Sequence, residues 1–258
     1  MSASDFSRAV ESLAPTVVRV VLIQRPAPNQ ILVTGQIGTG FILTEDGFIA
    51  TAGHNLQAVA QRQQVAIILP AGQVITCKLV GTNIQWKMDQ RARMTADLGV
   101  LKTDGEHPPL PWAKIGDPLI VRQGDEVAVV GFQALDDPRN LGVADLPPQE
   151  AQEFIRSVQA QTFALRATVA SRFEITHGDR QSSFLFLDRH VSLGMSGAPV
   201  VWPESGEVIG VVSGAKLEAQ MSGIAQVILP AGITKVYGIQ LLQECVANLR
   251  MRESPPAP

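Results

Sequence analysis

The feature that most limits what this chain can fold into is its recurrence of short apolar, β-branched runs cut by glycine-centred turns. TVVRVVLI, FILT, FIATA, QQVAIILP, QVITCKLVG and ADLGVLKT recur through residues 16–103, with Asp46-Gly47 and Ala71-Gly72 between some of them. Val and Ile are stiff at χ1 and pack well on a pleated surface, so such runs prefer strands. Tight turns between them predict antiparallel hairpins, with Glu45-Asp46-Gly47 joining FILT to FIAT. A second set follows: DEVAVVGF, FALRATVASRF, SSFLFLD, APVVW, EVIGVVSG and IAQVILP. The chain reads as all-β, with six or so strands in each half.

Other elements frame these strands. Residues 3–13 predict a short amphipathic helix, capped by Ser4, with Phe6, Val10 and Leu13 on one face and Pro15 stopping it. HPPLPWAKIGDP, residues 107–118, reads as the connection between halves and divides the chain into 1–115 and 116–258. Within the second half, LPPQEAQEFIRSVQAQ (146–161) has a helical pattern behind Pro147-Pro148. The stretch ITKVYGIQLLQECVANLRMR is expected to form a closing amphipathic helix, basic near its end, before a frayed SPPAP tail.

Composition narrows the function classes. The 258 residues are 45% hydrophobic and 17% charged, enough apolar material for a core. Net charge is −3, no Lys/Arg cluster stands out and aromatics are 5%, which argues against nucleic acid or an anionic membrane as partner. No run approaches the ~20 apolar residues of a bilayer span. The start, MSASDFSRAVESLAP, lacks the basic and apolar regions of a signal peptide, so a cytoplasmic location is expected. Cys77 and Cys245 have neither CxxC nor Cys/His metal spacing and read as two buried thiols, with one long-range bridge as the alternative.

Three local signals carry chemistry. Ser196 lies in VSLGMSGAPVV, with Gly194 two residues before it and Gly197 directly after. A nucleophilic serine needs a sharp loop that projects its hydroxyl and turns backbone N–H groups toward a developing oxyanion. Glycine at −2 permits that backbone, making the N–H groups of Gly194 and Ser196 the candidate donors. A Gly-Ser-Gly turn is also an ordinary hairpin connection, so the loop alone does not decide. His54 follows FIATA and an Ala-Gly break, at a strand end facing a cleft. Histidine titrates near neutral pH (~6.5) and can take a proton from serine and return it to a leaving amine. Asp97 opens the apolar strand ADLGVLKT, where a carboxylate is costly unless hydrogen-bonded, and it could accept Nδ1–H of His54. His107 and His177 read as surface residues. The order His54, Asp97, Ser196, each in strand-rich text, is stronger than any one signal.

With these residues in hand, the chain resembles the trypsin-like, chymotrypsin-fold serine proteases, and most closely the HtrA-type protease domain. GTGFILTEDGFIATAGHNL is similar to that group's histidine segment, ADLGVLKT to its aspartate segment, and PWAKIGDPLIVRQGDEVAVVGF to the entry into its second half. LDRHVSLGMSGAPVV and GEVIGVVSGA are similar to the serine loop and the strand that pairs with bound peptide. The resemblance implies two perpendicular six-stranded antiparallel barrels with the triad His54, Asp97 and Ser196 in the cleft between them. It implies an endopeptidase acting on polypeptide through an acyl-enzyme, without metal or cofactor. It also implies that Val212, Ser213 and Gly214 align the substrate backbone as an added strand. His190 falls at the expected floor of the primary specificity pocket, where an imidazole would favour polar or acidic side chains; the alternative is a ring turned away. The chain departs from the pattern at Ala198, where a second glycine is usual, and at Met195, where trypsin has an aspartate that pairs with a new N-terminus. Loop ordering or partner binding is then the expected route of activation, and a regulatory partner or a homo-oligomer is the candidate protein partner. No PDZ domain is expected after the second half, and residues 136–161 read as a longer segment than is usual.

A rival reading is an inactive or latent domain of this type kept as a protein-binding module, although candidates for all three triad residues are present. An α/β-hydrolase is disfavoured. There the order is serine, acid, histidine and the serine leads into a helix, whereas APVVW after Ser196 reads as a strand.

Overall fold

The computed structural model describes residues 3–27, 30–57, 59, 64–87, 93–134, 161–177, 180–222 and 225–253, with isolated positions between 147 and 157. Among the described residues twelve strands emerge, as expected of an all-β chain. They are β1 (Val17–Ala27), β2 (Gln30–Ile42), β3 (Phe48–Ala52), β4 (Gln64–Ile68), β5 (Val74–Lys87) and β6 (Arg93–Thr103) in the first half. The second half has β7 (Glu126–Gly131), β8 (Phe163–His177), β9 (Arg180–Leu187), β10 (Pro199–Trp202), β11 (Glu207–Ser222) and β12 (Ala225–Gly238). The helices with bounds given among the described residues are α1 (Ala3–Leu13), α2 (Gly53–Gln57) and α3 (Gln240–Glu253). Each half closes into an antiparallel ring, in the orders β1-β2-β3-β6-β5-β4 and β10-β11-β12-β9-β8-β7. Closure removes exposed sheet edges.

Local chemistry explains several elements. The β2–β3 turn is tight because Gly47 adopts φ 85°, closed by Gly47 N–H to Thr44 C=O at 3.0 Å and Leu43 N–H to Phe48 C=O at 2.7 Å. The connection at 107–118 is tied to both rings: Ala113 N–H donates to Ile42 C=O at 2.9 Å, and Gly116 N–H to Val208 C=O at 2.9 Å. Beyond it, Asp117 caps a short 3-10 turn at Pro118–Ile120 by accepting Leu119 N–H at 2.9 Å.

Three cores result. Val18, Val20, Ile42, Ile49, Ile67 and Leu101 fill the first ring, and Val127, Val129, Leu185, Val200, Val212 and Val236 the second. A third cluster joins both rings to the terminal helices through Leu13, Phe41, Phe48, Leu98, Phe132, Val208, Tyr237 and Leu242. This shared seam holds the rings in register, and the candidate residues are suspended from it.

Two expectations are corrected. ITKVYG is not helical; it is the end of β12, and α3 begins only at Gln240. Ile, Thr, Val and Tyr suit a strand, and Gly210–Gly214 and Phe184–Leu187 offer partners on both sides, so sheet pairing wins over the helical pattern. Asp97 does not open its strand but lies inside β6, which starts at Arg93. Most of the segment 136–161, with its expected helix, lies outside the described residues. Cys77 is buried and Cys245 half-buried, each as a thiol rather than half of a disulfide. Among the described residues no helix is long and apolar enough to cross a membrane.

Candidate active site

β3 ends at Ala52, and the chain turns at once into α2, whose second residue is His54. On the adjacent β6 the register against β5 shifts between the pairs Thr82–Gly99 and Ile84–Ala96, leaving an extra residue on β6 at Asp97 and Leu98. Such a bulge re-aims a side chain. Asp97 Oδ1 accepts the His54 backbone N–H at 2.6 Å, and Oδ2 meets His54 Nδ1 at 2.7 Å. Oδ2 also accepts Ser213 Oγ–H at 2.6 Å. Burial pushes the Asp97 carboxyl up, but the hydrogen bonds from His54 and Ser213 outweigh it and hold the group below its ordinary value. An ionised Asp97 has no proton to give, so His54 Nδ1 carries the hydrogen and Nε2 keeps its lone pair. The His54 side chain is 45% exposed, against 26% for Asp97.

The serine loop is fixed peptide by peptide. Leu193 C=O accepts Ala134 N–H at 2.8 Å, and Gly194 C=O accepts Thr39 Oγ–H at 2.7 Å. Met195 N–H donates to Ser192 C=O at 3.1 Å, while Met195 C=O accepts Ala198 N–H at 2.9 Å. Ser196 C=O accepts both Thr39 N–H and Asn55 Nδ2–H at 2.9 Å, and Gly197 N–H donates to Val212 C=O at 2.7 Å. Of the N–H groups from 194 to 198, those of Gly194 and Ser196 have no acceptor among the described residues. Their peptide carbonyls, on Leu193 and Met195, are engaged. In a trans peptide N–H points opposite to C=O, so both free donors are turned away from the bonds that anchor them.

Gly194 and Gly197 sit at φ 90° and 89°, the left-handed region. A Cβ at Gly194 would lie 2.3 Å from Ala134 N, and one at Gly197 only 2.0 Å from Thr39 O. Glycine is required at both by backbone and by space. Ala198 is fully buried in the second ring, so the small residue fits where resembling chains carry glycine.

The sequence-derived residues divide by surroundings. His54, Asp97 and Ser213 form one hydrogen-bonded cluster. Ser196 joins it through Asn55, the neighbour of His54; among the described residues no hydrogen bond links Ser196 Oγ to His54. Val212 is buried, and Ser213 and Gly214 follow where the pairing of β11 with β10 has stopped at Val211. His190 is exposed on the turn after β9. His107 is half-buried rather than a surface residue, with Thr103 Oγ and Pro108 C=O each 2.9 Å from its ring nitrogens. The His177 side chain lies outside the described residues. Sequence reading missed the Ser213 hydroxyl, assigning that residue only backbone duties; the available signal was a serine ending the apolar run VIGVVS. It also missed Thr39, Thr51 and Asn55, all buried polar residues around the loop. Among the described residues no group of three or more His, Cys, Asp or Glu side chains is placed to hold a metal ion.

The profile of the trypsin-like peptidase domain matches residues 38–211 of this chain. Bovine (Bos taurus) mitochondrial serine protease HTRA2 is 28% identical over 203 residues, 78% of this chain and 36% of that protein. A probable periplasmic serine endoprotease, DegP-like, of Brucella suis biovar 1 is 27% identical, covering 72% of this chain and 29% of its own length. The putative serine protease HhoB of Synechocystis is 25% identical over 73% of this chain and 36% of its own. This chain thus spans roughly a third of the length of these relatives. Among solved structures, the HtrA-type protease AlgW with decapeptide superposes with a TM-score of 0.62 at 18% identity, covering 95% of this chain and 67% of that one. The loop with two unclaimed N–H donors and the histidine–aspartate pair beside it lie within the stretch matched by the domain profile, and the chain belongs to the trypsin-like peptidase family.

Proposed function

We propose that the chain is a serine endopeptidase unit in which Ser196, His54 and Asp97 form the catalytic triad. Ser196 Oγ attacks the scissile carbonyl carbon while His54 Nε2 takes its proton. The negative charge gathers on the carbonyl oxygen, to which the N–H groups of Gly194 and Ser196 donate. His54 then passes its proton to the leaving amine, the C–N bond breaks, and an ester on Ser196 remains. Water, deprotonated by the same Nε2, attacks that ester and restores the serine. Asp97 holds the imidazole in the required tautomer and balances its charge when protonated, and Ser213 helps keep Asp97 ionised.

The observation that carries this reading is that, of the N–H groups from 194 to 198, those of Gly194 and Ser196 alone have no acceptor among the described residues, while the carbonyls of their peptides are anchored. Three further assignments go with it. The two rings correspond to the paired barrels of chymotrypsin-like proteases, divided near residue 115, with the cleft at their seam. The edge of β11 at Ser213 and Gly214, beyond the end of β10, receives an extended polypeptide as an added strand, with Val212 at its start. His190, exposed next to the loop, is the candidate floor of the primary pocket and favours polar or acidic side chains.

Incubation with an unfolded protein substrate, followed by mass-spectrometric mapping of new termini, tests the proposal. New internal termini with the native chain and none with Ser196→Ala are expected. No cleavage by a folded native chain, with intact binding of the unfolded substrate, would favour the protein-binding alternative.

A further inference from the structure

We infer that Thr39, on β2 of the first ring, is the positioning residue that sets the oxyanion site on the second ring. The inference rests on the reading of Ser196 as nucleophile and extends it to a residue no part of that reading requires. Thr39 is fully buried, and each of its polar groups is engaged. Its N–H donates to Ser196 C=O at 2.9 Å, and its C=O accepts Thr51 Oγ–H at 2.7 Å. Its hydroxyl donates to Gly194 C=O at 2.7 Å while accepting Phe132 N–H at 2.9 Å.

That last pair matters most. Phe132 leads through Gln133 to Ala134, whose N–H holds Leu193 C=O and so orients the Gly194 N–H. One hydroxyl therefore grips the loop directly at Gly194 and, through Phe132, steadies the segment that orients the preceding peptide. Asn55 completes the clasp: its Nδ2 donates to Ser196 C=O at 2.9 Å and to Thr51 Oγ at 3.0 Å. The clasp admits no bulk around it, since a Cβ at Gly38 would lie 2.1 Å from Asn55 Nδ2. The bonds cross from one ring to the other, over sequence separations of 93, 155 and 141 residues. Donor placement for the oxyanion is thus set from the ring that carries His54 and Asp97, so all catalytic groups share one reference frame. Thr39 touches no substrate in this role and acts through Gly194 and Ser196.

The test compares the native chain, Thr39→Val, Thr39→Ser and Asn55→Leu by acylation with p-nitrophenyl acetate, read as the rate and half-saturation of the first-turnover burst, with crystal structures of the native chain and the valine variant. Valine keeps the shape of threonine but leaves Gly194 C=O and Phe132 N–H unpaired, whereas serine keeps the hydroxyl. A misplacement of about 1 Å at a reacting centre costs on the order of 10²-fold. The acylation rate of Thr39→Val should therefore fall about 10- to 100-fold at unchanged half-saturation, with Thr39→Ser within about threefold of native and Asn55→Leu about tenfold down. The Gly194 N–H should be turned from its native direction in the valine variant. Native acylation in Thr39→Val, or a serine variant as slow as valine, would overturn the inference. A native chain without any burst would sink the nucleophile reading instead. The position of the Gly194 peptide would then decide the inference alone, an unmoved peptide counting against it.

Discussion

Gly197 tolerates no side chain, and the reason is geometric. Its φ of 89° is costly for any L-residue, and the new methyl would overlap Thr39 C=O, a backbone atom with nowhere to go. Gly197→Ala should destabilise the fold by about 3 kcal/mol or more, measurable by urea unfolding. Asp97 supports a different prediction. Asp97→Asn keeps the size but cannot hold the same His54 tautomer, and turnover should drop by about three to four orders of magnitude. Ser213→Ala removes one donor to the Asp97 carboxylate, so the carboxyl should rise toward its ordinary value and turnover should fall about tenfold. An unchanged rate in Ser213→Ala would show that His54 alone suffices to keep Asp97 ionised.

Among the elements, α3 is held on the first ring by a compact charge cluster. Asp46, on the β2–β3 turn, bonds Lys102 of β6 at 3.0 Å and Arg250 of α3, and both cations lie over the Phe48 ring. Burial alone would raise the Asp46 carboxyl, yet bonds from Thr44, Arg250 and Lys102 outweigh it and hold the group well below the usual carboxylate range. A carboxyl depressed in the folded state contributes stability that is full above its unfolded value of ~3.9 and lost as pH falls through the folded one. Thermal scans of Asp46→Asn should therefore lie below native at neutral pH, by a small margin for so exposed a cluster, and converge with it in acid. Curves that stay parallel to low pH would remove Asp46 from the account. Elements like this turn were legible in the sequence because Glu-Asp-Gly acts locally, as were α1, the β-branched runs and the Gly194–Gly197 loop. β12 was not, because ITKVYG carries both a helical pattern and β-formers, and sheet partners distant in sequence decide between them. Nor was Asp97's place inside β6, which depends on pairing with β5. The clasp of Thr39, Thr51 and Asn55 was invisible for the same reason: its bonds join residues that only closure of both rings brings together.

For the whole molecule, the shared seam means that ring packing and donor placement stand or fall together. The buried Cys77 offers a probe of that unity. Burial pushes its thiol up to about 12, whereas an unfolded cysteine titrates near 8.5. The folded chain should therefore lose stability as pH rises above about 8.5, and Cys77 should resist iodoacetamide until the molecule opens. Peptide-level mapping that found Cys77 alkylated in the folded, active chain would contradict that. The central claim is that Ser196 is a nucleophile served by His54 and by the free N–H groups of Gly194 and Ser196. Its most direct test is reaction with a fluorophosphonate, which phosphonylates an activated serine, followed by identification of the modified residue by mass spectrometry. The account predicts a single adduct on Ser196, lost in Ser196→Ala and strongly slowed in Asp97→Asn. A folded native chain that remains unmodified, or an adduct on any other serine, would contradict it.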